Sequence, residues 1–216
     1  YKCQINAALG IGDVNTHRDK NLPGNNINRG EEPAVPTEVS ADESINVVEA
    51  VSKIATMENR NSITNLQFTG RNNSAFIAGL AYYAHTKDIR PDDPEVPQTE
   101  GKQTIATHWV DVREAQVLLP WYQNQYWLAA KYGGFNVPSG FDPDTRTAPL
   151  DAAWWNGTGD TLTAGGSTFG RPDNFYVASE ADKMVASLRE AFKNIIADIR
   201  GSGSSFASNT TRLETG

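Results

Sequence analysis

The sequence predicts an α/β fold built on a mainly parallel sheet. Three observations carry this. Short apolar runs fit for strands occur at residues 5–12, 103–112 and 174–178. Between and after them lie segments with apolar residues at helical spacing, giving the order strand, helix, helix, strand, helix, strand, helix. The first run, with Ala7, Ala8, Leu9 and Ile11, lacks the alternation of a strand wet on one face. Such a run suits an inner strand covered on both sides.

Each element has its own signature. Ile5 to Gly12 closes in the polar turn Gly12-Asp13-Val14-Asn15, and residues 18–37 carry Pro23, Gly24, Gly30, Pro33 and Pro36, the composition of a loop. Ser40-Ala41-Asp42-Glu43 has the spacing of a capping box, and Val47, Val48, Val51, Ile54 and Ala55 follow at helical period, so a helix is expected over 41–57. A second helix opens near Ser74, with Phe76, Leu80 and Tyr83 as its stripe and Ala78, Gly79 and Ala81 as a close-approach face, and ends before Pro91. In the strand at 103–112, Ile105, Thr107 and Trp109 take one face and Ala106, His108 and Val110 the other. A short helix is expected over 124–132, with Gly133 as a left-handed cap. Residues 134–173 are rich in Gly, Thr, Asp and Pro and read as a long insertion around Trp154-Trp155. After the strand at 174–178, Ser179-Glu180-Ala181-Asp182 opens a helix striped by Met184, Leu188, Ala191 and Ile195 and widened by Val185, Phe192, Ile196 and Ile199. Gly201 is expected to end it, and the Ser-, Asn- and Thr-rich residues 202–216 read as a linker.

The composition narrows the function. Twenty-six acidic against 19 basic residues give a net charge of −7, with no basic run. A duplex-binding surface needs Lys and Arg to displace phosphate counterions, so nucleic acid and anionic membrane surfaces are not expected partners. No apolar run reaches the ~20 residues that span a bilayer. Cys3 is the one cysteine among 216 residues, which excludes a zinc site or a disulfide within the chain. It reads either as a buried thiol or as half of a disulfide whose partner lies upstream, since Tyr1-Lys2-Cys3 resembles an internal start.

Three segments resemble the PilC/PilY family of type IV pilus tip-associated adhesins and biogenesis factors. They are Cys3 to Asn6 running through Gly12-Asp13-Val14-Asn15-Thr16-His17 to Gly24; Trp109-Val110-Asp111-Val112 with Asn124-Gln125-Tyr126-Trp127-Leu128-Ala129-Ala130-Lys131-Tyr132-Gly133-Gly134-Phe135; and Pro172-Asp173-Asn174-Phe175-Tyr176-Val177-Ala178-Ser179. Ser208 to Leu213 resembles the passage to that family's next domain. The resemblance implies the later half of a von Willebrand factor A-like, doubly wound sheet over residues 1–200, with strands of the N-terminal half preceding Tyr1 and a β-propeller following the linker at 201–216. It implies cell-surface adhesion and type IV pilus biogenesis at the pilus tip, without catalysis. The implied partners are the N-terminal half of the same domain, minor pilins at the tip, and a host or abiotic surface. Secretion to the cell surface follows.

Such domains often bind a divalent cation, Mg or Ca, at the carboxyl ends of their strands, where hard cations find oxygen ligands. Asp13 stands where one ligand belongs, and the Asp-x-Ser-x-Ser partner would lie upstream. The family's Asp-rich loops have a thin counterpart here in the widely spaced Asp142, Asp144, Asp151 and Asp160.

Other residues invite weighing. Asp13 also suits an Asx-turn ending a strand. Asn15, His17 and Asp19 follow it at alternating positions, and with Asp13 the latter two define a rival reading as a metal-dependent hydrolase. A generic von Willebrand factor A-like binding module is a second alternative. His85, near a helix end, and His108, within a strand, read as structural. Asp111 and Glu114 form only a chance acid/base pair. Trp121, Tyr122, Tyr126, Trp127 and Tyr132 read as a packing cluster. Trp154 and Trp155, in a polar loop, are candidate interface anchors.

Overall fold

The computed structural model of the chain describes residues 5–16, 18–25, 32–60, 74–113, 117–178 and 181–203. Strand β1 (Asn6–Gly12) is followed by α1 (Thr37–Ala41), α2 (Val47–Met57) and α3 (Phe76–Thr86), then β2 (Ile105–Val112), α4 (Gln125–Gly134), α5 (Ala152–Trp155), the hairpin β3 (Thr161–Ala164) and β4 (Ser167–Gly170), β5 (Phe175–Ala178) and α6 (Ala181–Gly203). The main sheet has the order β1-β2-β5 and is parallel throughout, with Gly12 opposite Asp111 and Val112 opposite Ala178. The fold is α/β, as the alternation of strands and helices predicts. Among the described residues no helix is long and apolar enough to cross a membrane.

The two sides of β2 face different layers. Thr107 and Trp109 look toward α3 and α4, while Val110 joins Tyr176, Ala178 and Ala191 of α6. The first layer holds the main core: Val47, Val51 and Ile54 of α2, Phe76 and Ala78 of α3, and Leu128, Ala129 and Tyr132 of α4 are all essentially buried. Leu9, Met184 and Leu188 are only partly buried around the smaller cluster on the other side.

Several expectations shift. The helix expected over 41–57 begins later, as α2 at Val47, and the short α1 (Thr37–Ala41) precedes it. Asp42 accepts from Ser44 N at 2.8 Å, an Asx-turn that breaks the chain, and Asn46 caps α2, its Oδ1 accepting from Val48 N and Glu49 N at 3.1 Å each. Asn46 Nδ2 reaches Glu49 Oε1 at 3.2 Å. The cap-then-acid spacing thus recurs six residues beyond Ser40, and the later copy starts the long helix.

Gly133 is not a left-handed cap; α4 continues through Gly134 and ends at Phe135, φ −72°. Glycine is required by proximity instead. A Cβ on Gly133 would lie 2.8 Å from both Ala81 and Thr107 side-chain carbons, and one on Gly134 would lie 2.0 Å from Asn174 Nδ2. The pair lets α4 wedge between α3 and β2. Helix α6 runs past Gly201 to Gly203, and residues 204–216 lie outside the described ones.

The insertion 134–173 has structure of its own. Gly165 (φ 57°) and Gly166 (φ 77°) form a two-residue turn between Thr161-Leu162-Thr163-Ala164 and Ser167-Thr168-Phe169-Gly170. Positive φ at both central positions matches the right-handed twist of a hairpin. Arg171 anchors it, donating to Asp160 Oδ2 at 2.6 Å and to the Phe175 carbonyl at 2.8 Å.

Finally, β1 is an edge strand of the described sheet, and Ala7, Ala8 and Ile11 are exposed. The inner position expected from its composition is not met by the described strands alone.

Candidate functional site

The carboxyl ends of β1 and β2 and the start of α4 meet at one end of the sheet. Asp13 leaves β1 and accepts from Asn15 N at 2.9 Å through Oδ1 and from Asn15 Nδ2 at 3.4 Å through Oδ2. That is the Asx-turn geometry. Beside it, Asp111 is 2% exposed and receives Asn124 Nδ2 at 2.8 Å on Oδ2. Burial pushes the Asp111 carboxyl up to about 6; the Asn124 hydrogen bond and Arg113 oppose this, and the nearby charge of Asp13 adds to it. Asn124, itself fully buried, works in both directions: its Oδ1 caps α4 by accepting from Tyr126 N and Trp127 N at 3.0 Å each. Asp111 therefore fixes the rotamer of the side chain that starts α4.

The turn after β1 is fastened to the same helix. Gln125 Nε2 donates to the Val14 carbonyl at 3.0 Å and to Thr16 Oγ1 at 3.1 Å. Tyr126 lies flat on Trp109, ring centroids 3.7 Å apart and planes 7° from parallel, and the indole covers Gly10, where a Cβ would come within 2.0 Å of the ring. Burial raises the Tyr126 hydroxyl to about 12. Asp19 points elsewhere: its Oδ2 accepts from Ser74 N at 2.8 Å, and the Oγ of that same serine accepts from Phe76 N at 3.2 Å at the start of α3.

These bonds bear directly on the candidate ligands. Asp13 and Asp19 serve separate local bonds, and His17, Glu114 and Cys3 lie outside the described residues. Among the described residues, no group of three or more His, Cys, Asp or Glu side chains could hold a metal ion. The described side chains do not by themselves fit a divalent cation. The four widely spaced aspartates named above are likewise engaged: Asp144 pairs with Lys53 at 3.1 Å and with Lys87, Asp142 accepts from Asp144 N and Thr145 Oγ1, Asp151 caps α5, and Asp160 holds Arg171.

Both described histidines are internal. His85 Nε2 donates to the Phe135 carbonyl at 2.7 Å, meeting the end of α4 rather than its own helix. His108 is fully buried, parallel to the Tyr176 ring at 6.4 Å, and among the described residues has no hydrogen-bond partner on either ring nitrogen. Burial pushes its imidazole down to about 4.

The aromatic cluster is a packing surface with a cation in it, which sequence reading missed. Lys131, 6% exposed, forms a 2.5 Å pair with Glu58 Oε1, which also accepts the Tyr132 hydroxyl at 2.7 Å. Its ammonium lies 4.4 Å from the Trp155 ring centre and 5.3 Å from that of Trp127. Desolvation pulls the Lys131 pKa down, and Glu58 opposes this. Trp154 and Trp155 are half-buried rather than free. Trp155 packs edge-on to Trp127 at 5.5 Å, Trp154 packs on Phe141 at 6.3 Å under the Arg146 guanidinium, and the Trp154 carbonyl accepts from Asn136 N at 2.7 Å. An exposed tryptophan pair is not what the fold presents; both residues are half-buried.

Comparison with known proteins bears on the family. No protein-family model matches the chain, and no solved structure matches it. A protein of Xylella fastidiosa (strain Temecula1), named type IV pilus biogenesis factor PilY1 homolog, is 49% identical over 229 aligned residues that take in the whole of this chain and 18% of that relative's length. The chain is thus similar throughout to one segment of that relative and spans less than a fifth of its length.

Proposed function

We propose that the chain is a non-catalytic binding and load-bearing module acting in type IV pilus biogenesis and cell-surface adhesion, displayed at the pilus tip or outer surface. The observation that carries this reading is the alignment of the entire chain at 49% identity to a type IV pilus biogenesis factor. The chemistry of the sheet end supports the non-catalytic part. Asp13 is held in a turn, Asp111 is sealed against a helix cap, and both described histidines are enclosed. A catalytic base needs reach to a substrate proton. The parallel sheet with helices on both faces supports a von Willebrand factor A-like arrangement completed by strands of the N-terminal half of the same domain. In that arrangement Asp13 contributes to a Mg or Ca site whose other ligands come from that half. Minor pilins and a host or abiotic surface are the partners this reading implies.

The test is genetic and physical. In the source bacterium, the gene is replaced by a version lacking the codons for residues 5–203, and surface pili are counted by electron microscopy alongside attachment to glass and to cells. The expected result is loss of surface pili or of attachment. Unchanged pilus number together with unchanged attachment would overturn the reading. A Trp154→Ala variant, read for attachment, asks whether this half-buried residue is an anchor.

A further inference from the structure

The turn at residues 20–25 and helix α1 enclose a cleft of about 310 Å³, and none of the sheet-end residues lines it. Its scaffold is fixed. Asn25 Nδ2 and Leu22 N both donate to the Lys20 carbonyl, at 2.6 and 2.9 Å. Gly24 turns the chain at φ 78°. The Pro23 carbonyl accepts from Val47 N at 3.0 Å, which fastens the turn to the start of α2. Val35 and, from α1, Val39 also stand in the wall. With Leu22 they are half-buried and give the cleft an aliphatic lining.

Lys20 belongs to the same wall and is only 4% exposed. A lysine that deep is almost always paired. Among the described residues, the Lys20 ammonium has no hydrogen-bond or ion-pair partner. The acids around it bond main-chain amides instead: Asp19 Oδ2 accepts from Ser74 N at 2.8 Å, and Glu32 Oε1 accepts from Lys20 N itself at 2.5 Å. An ammonium removed from water without an anion weakens the fold, and a ligand that brings a carboxylate offsets that loss. Asp42 also lines the cleft but is exposed. Hydrogen bonds from Ser44 hold its carboxyl below the usual range, so it is charged at neutral pH. The wall thus combines a buried positive group, an aliphatic surface and an exposed negative group. A cleft of this size lies at the small end of ligand sites, and a second negative charge on a ligand would meet Asp42.

We propose that the cleft between the 20–25 turn and α1 binds a small aliphatic monocarboxylate, its carboxylate taken by Lys20 and its hydrocarbon body by Leu22, Val35 and Val39, with Asp42 disfavouring dicarboxylates. This activity is separate from any role in pili.

The full-length gene product is titrated by calorimetry with 4-methylpentanoate, with 4-methylpentanamide as the uncharged match and glutarate as the dicarboxylate. The expected result is saturable binding of 4-methylpentanoate, with the amide at least ~10-fold weaker, the scale of one hydrogen bond to a charged group. Lys20→Met keeps the stem and removes the charge, and should weaken 4-methylpentanoate by at least ~10-fold. Asp42→Asn should leave 4-methylpentanoate unchanged and strengthen glutarate about 2–5-fold, as removal of an exposed charge does. No saturable binding of 4-methylpentanoate, equal binding of the amide, or full binding by a folded Lys20→Met variant would overturn the proposal. Acetic anhydride labelling of the wild-type protein, mapped by mass spectrometry, gives a second reading free of any variant. 4-Methylpentanoate should slow acetylation of Lys20 and leave that of Lys53 and Lys87 unchanged. Equal slowing at all three, or none at Lys20, overturns it as well. Pilus number does not enter either measurement, so failure here is distinguishable from failure of the proposed function.

Discussion

The two faces of the sheet are built to different standards. On the α2–α3–α4 side, helices approach so closely that Gly79, Gly133 and Gly134 have no room for a side chain, and the residues between them are nearly dry. On the α6 side, among the described residues a single helix covers β2 and β5, the buried cluster is small, and large apolar side chains are exposed. Composition alone hides the contrast, since α2 and α6 are both amphipathic. What separates them is whether the second apolar flank has a neighbour. Close packing is where the stability of an interior resides, so the closed face should carry the fold and the open face should be nearly silent until something covers it.

The contrast breaks first at Glu58. Glu58→Ala leaves the buried Lys131 ammonium among aromatic rings without its carboxylate; removing one partner of a buried pair costs about 3–5 kcal/mol, read as a loss of urea-unfolding free energy. The double variant Glu58→Leu, Lys131→Met should recover most of it, because the rings then enclose an apolar chain. Leu128→Ala, with a fully buried side chain on the closed face, should cost about 2–5 kcal/mol, measured in the same way. Asn124→Ala removes the cap of α4 and the hydrogen bond to Asp111 together and should cost about 1–2 kcal/mol. Phe192→Ala, on the open flank, should stay within about 0.5 kcal/mol in the chain studied by itself. A large loss there would mean that the flank is already covered.

Acidity sharpens the same contrast, because each face buries one titratable group beside β2. His108, held down to about 4 from an ordinary 6.5, binds fewer protons folded than unfolded between those values, so its share of stability falls as pH drops from 6.5 toward 4. Asp111, raised to about 6 from 3.8, binds more protons folded than unfolded, so its share falls as pH climbs from 3.8 to 6. The two slopes oppose one another over nearly the same interval. Between pH 4 and 6 these two contributions nearly cancel, and His85, which burial also lowers, adds a rise with pH. Asp111→Asn should steepen the rise of unfolding free energy with pH, and His108→Phe should lessen it. A wild-type slope equal to that of either variant would show that one group dominates.

Much of this architecture was legible in the sequence. The three strands of the main sheet, the face alternation along 105–110, α3 and the stripe of α6 all follow from period and composition. The Asx-turn role of Asp13 was readable as well, because Asp followed by Asn two residues later is a local pattern. Local competition was harder to read. Two cap-and-acid pairs lie six residues apart, and only the backbone decides that Asn46 starts the longer helix. The Gly-Gly turn of the hairpin was visible between two Thr-rich runs but was submerged in a segment that looked irregular. Gly133 was read for its backbone freedom when the constraint was distance, a quantity that depends on Ala81 and Thr107, far away in sequence. Lys131 with Glu58 could not be found by spacing, since the partners stand 73 residues apart.

The tryptophan resting on Gly10 has a consequence for the order of assembly. Residues of β1 and β2 that pair directly lie close to one hundred positions apart in the chain; Asn6 Nδ2 bonds the Thr104 carbonyl across 98 of them. Closing so long a loop is entropically slow, whereas β2, α4 and β5 follow one another more closely. The indole stacked on Tyr126 thus forms part of a platform that can exist before β1 arrives. When β1 does arrive, glycine must come to rest under the ring, since a slip by two residues toward the start of the strand would put the methyl of Ala8 there. In a refolding time course followed by tryptophan fluorescence and pulse-labelled amides, the β1 amides should gain protection last, and Gly10→Ala should delay that step alone. Trp109 would then act as a keyed slot, admitting a latecomer strand in one alignment.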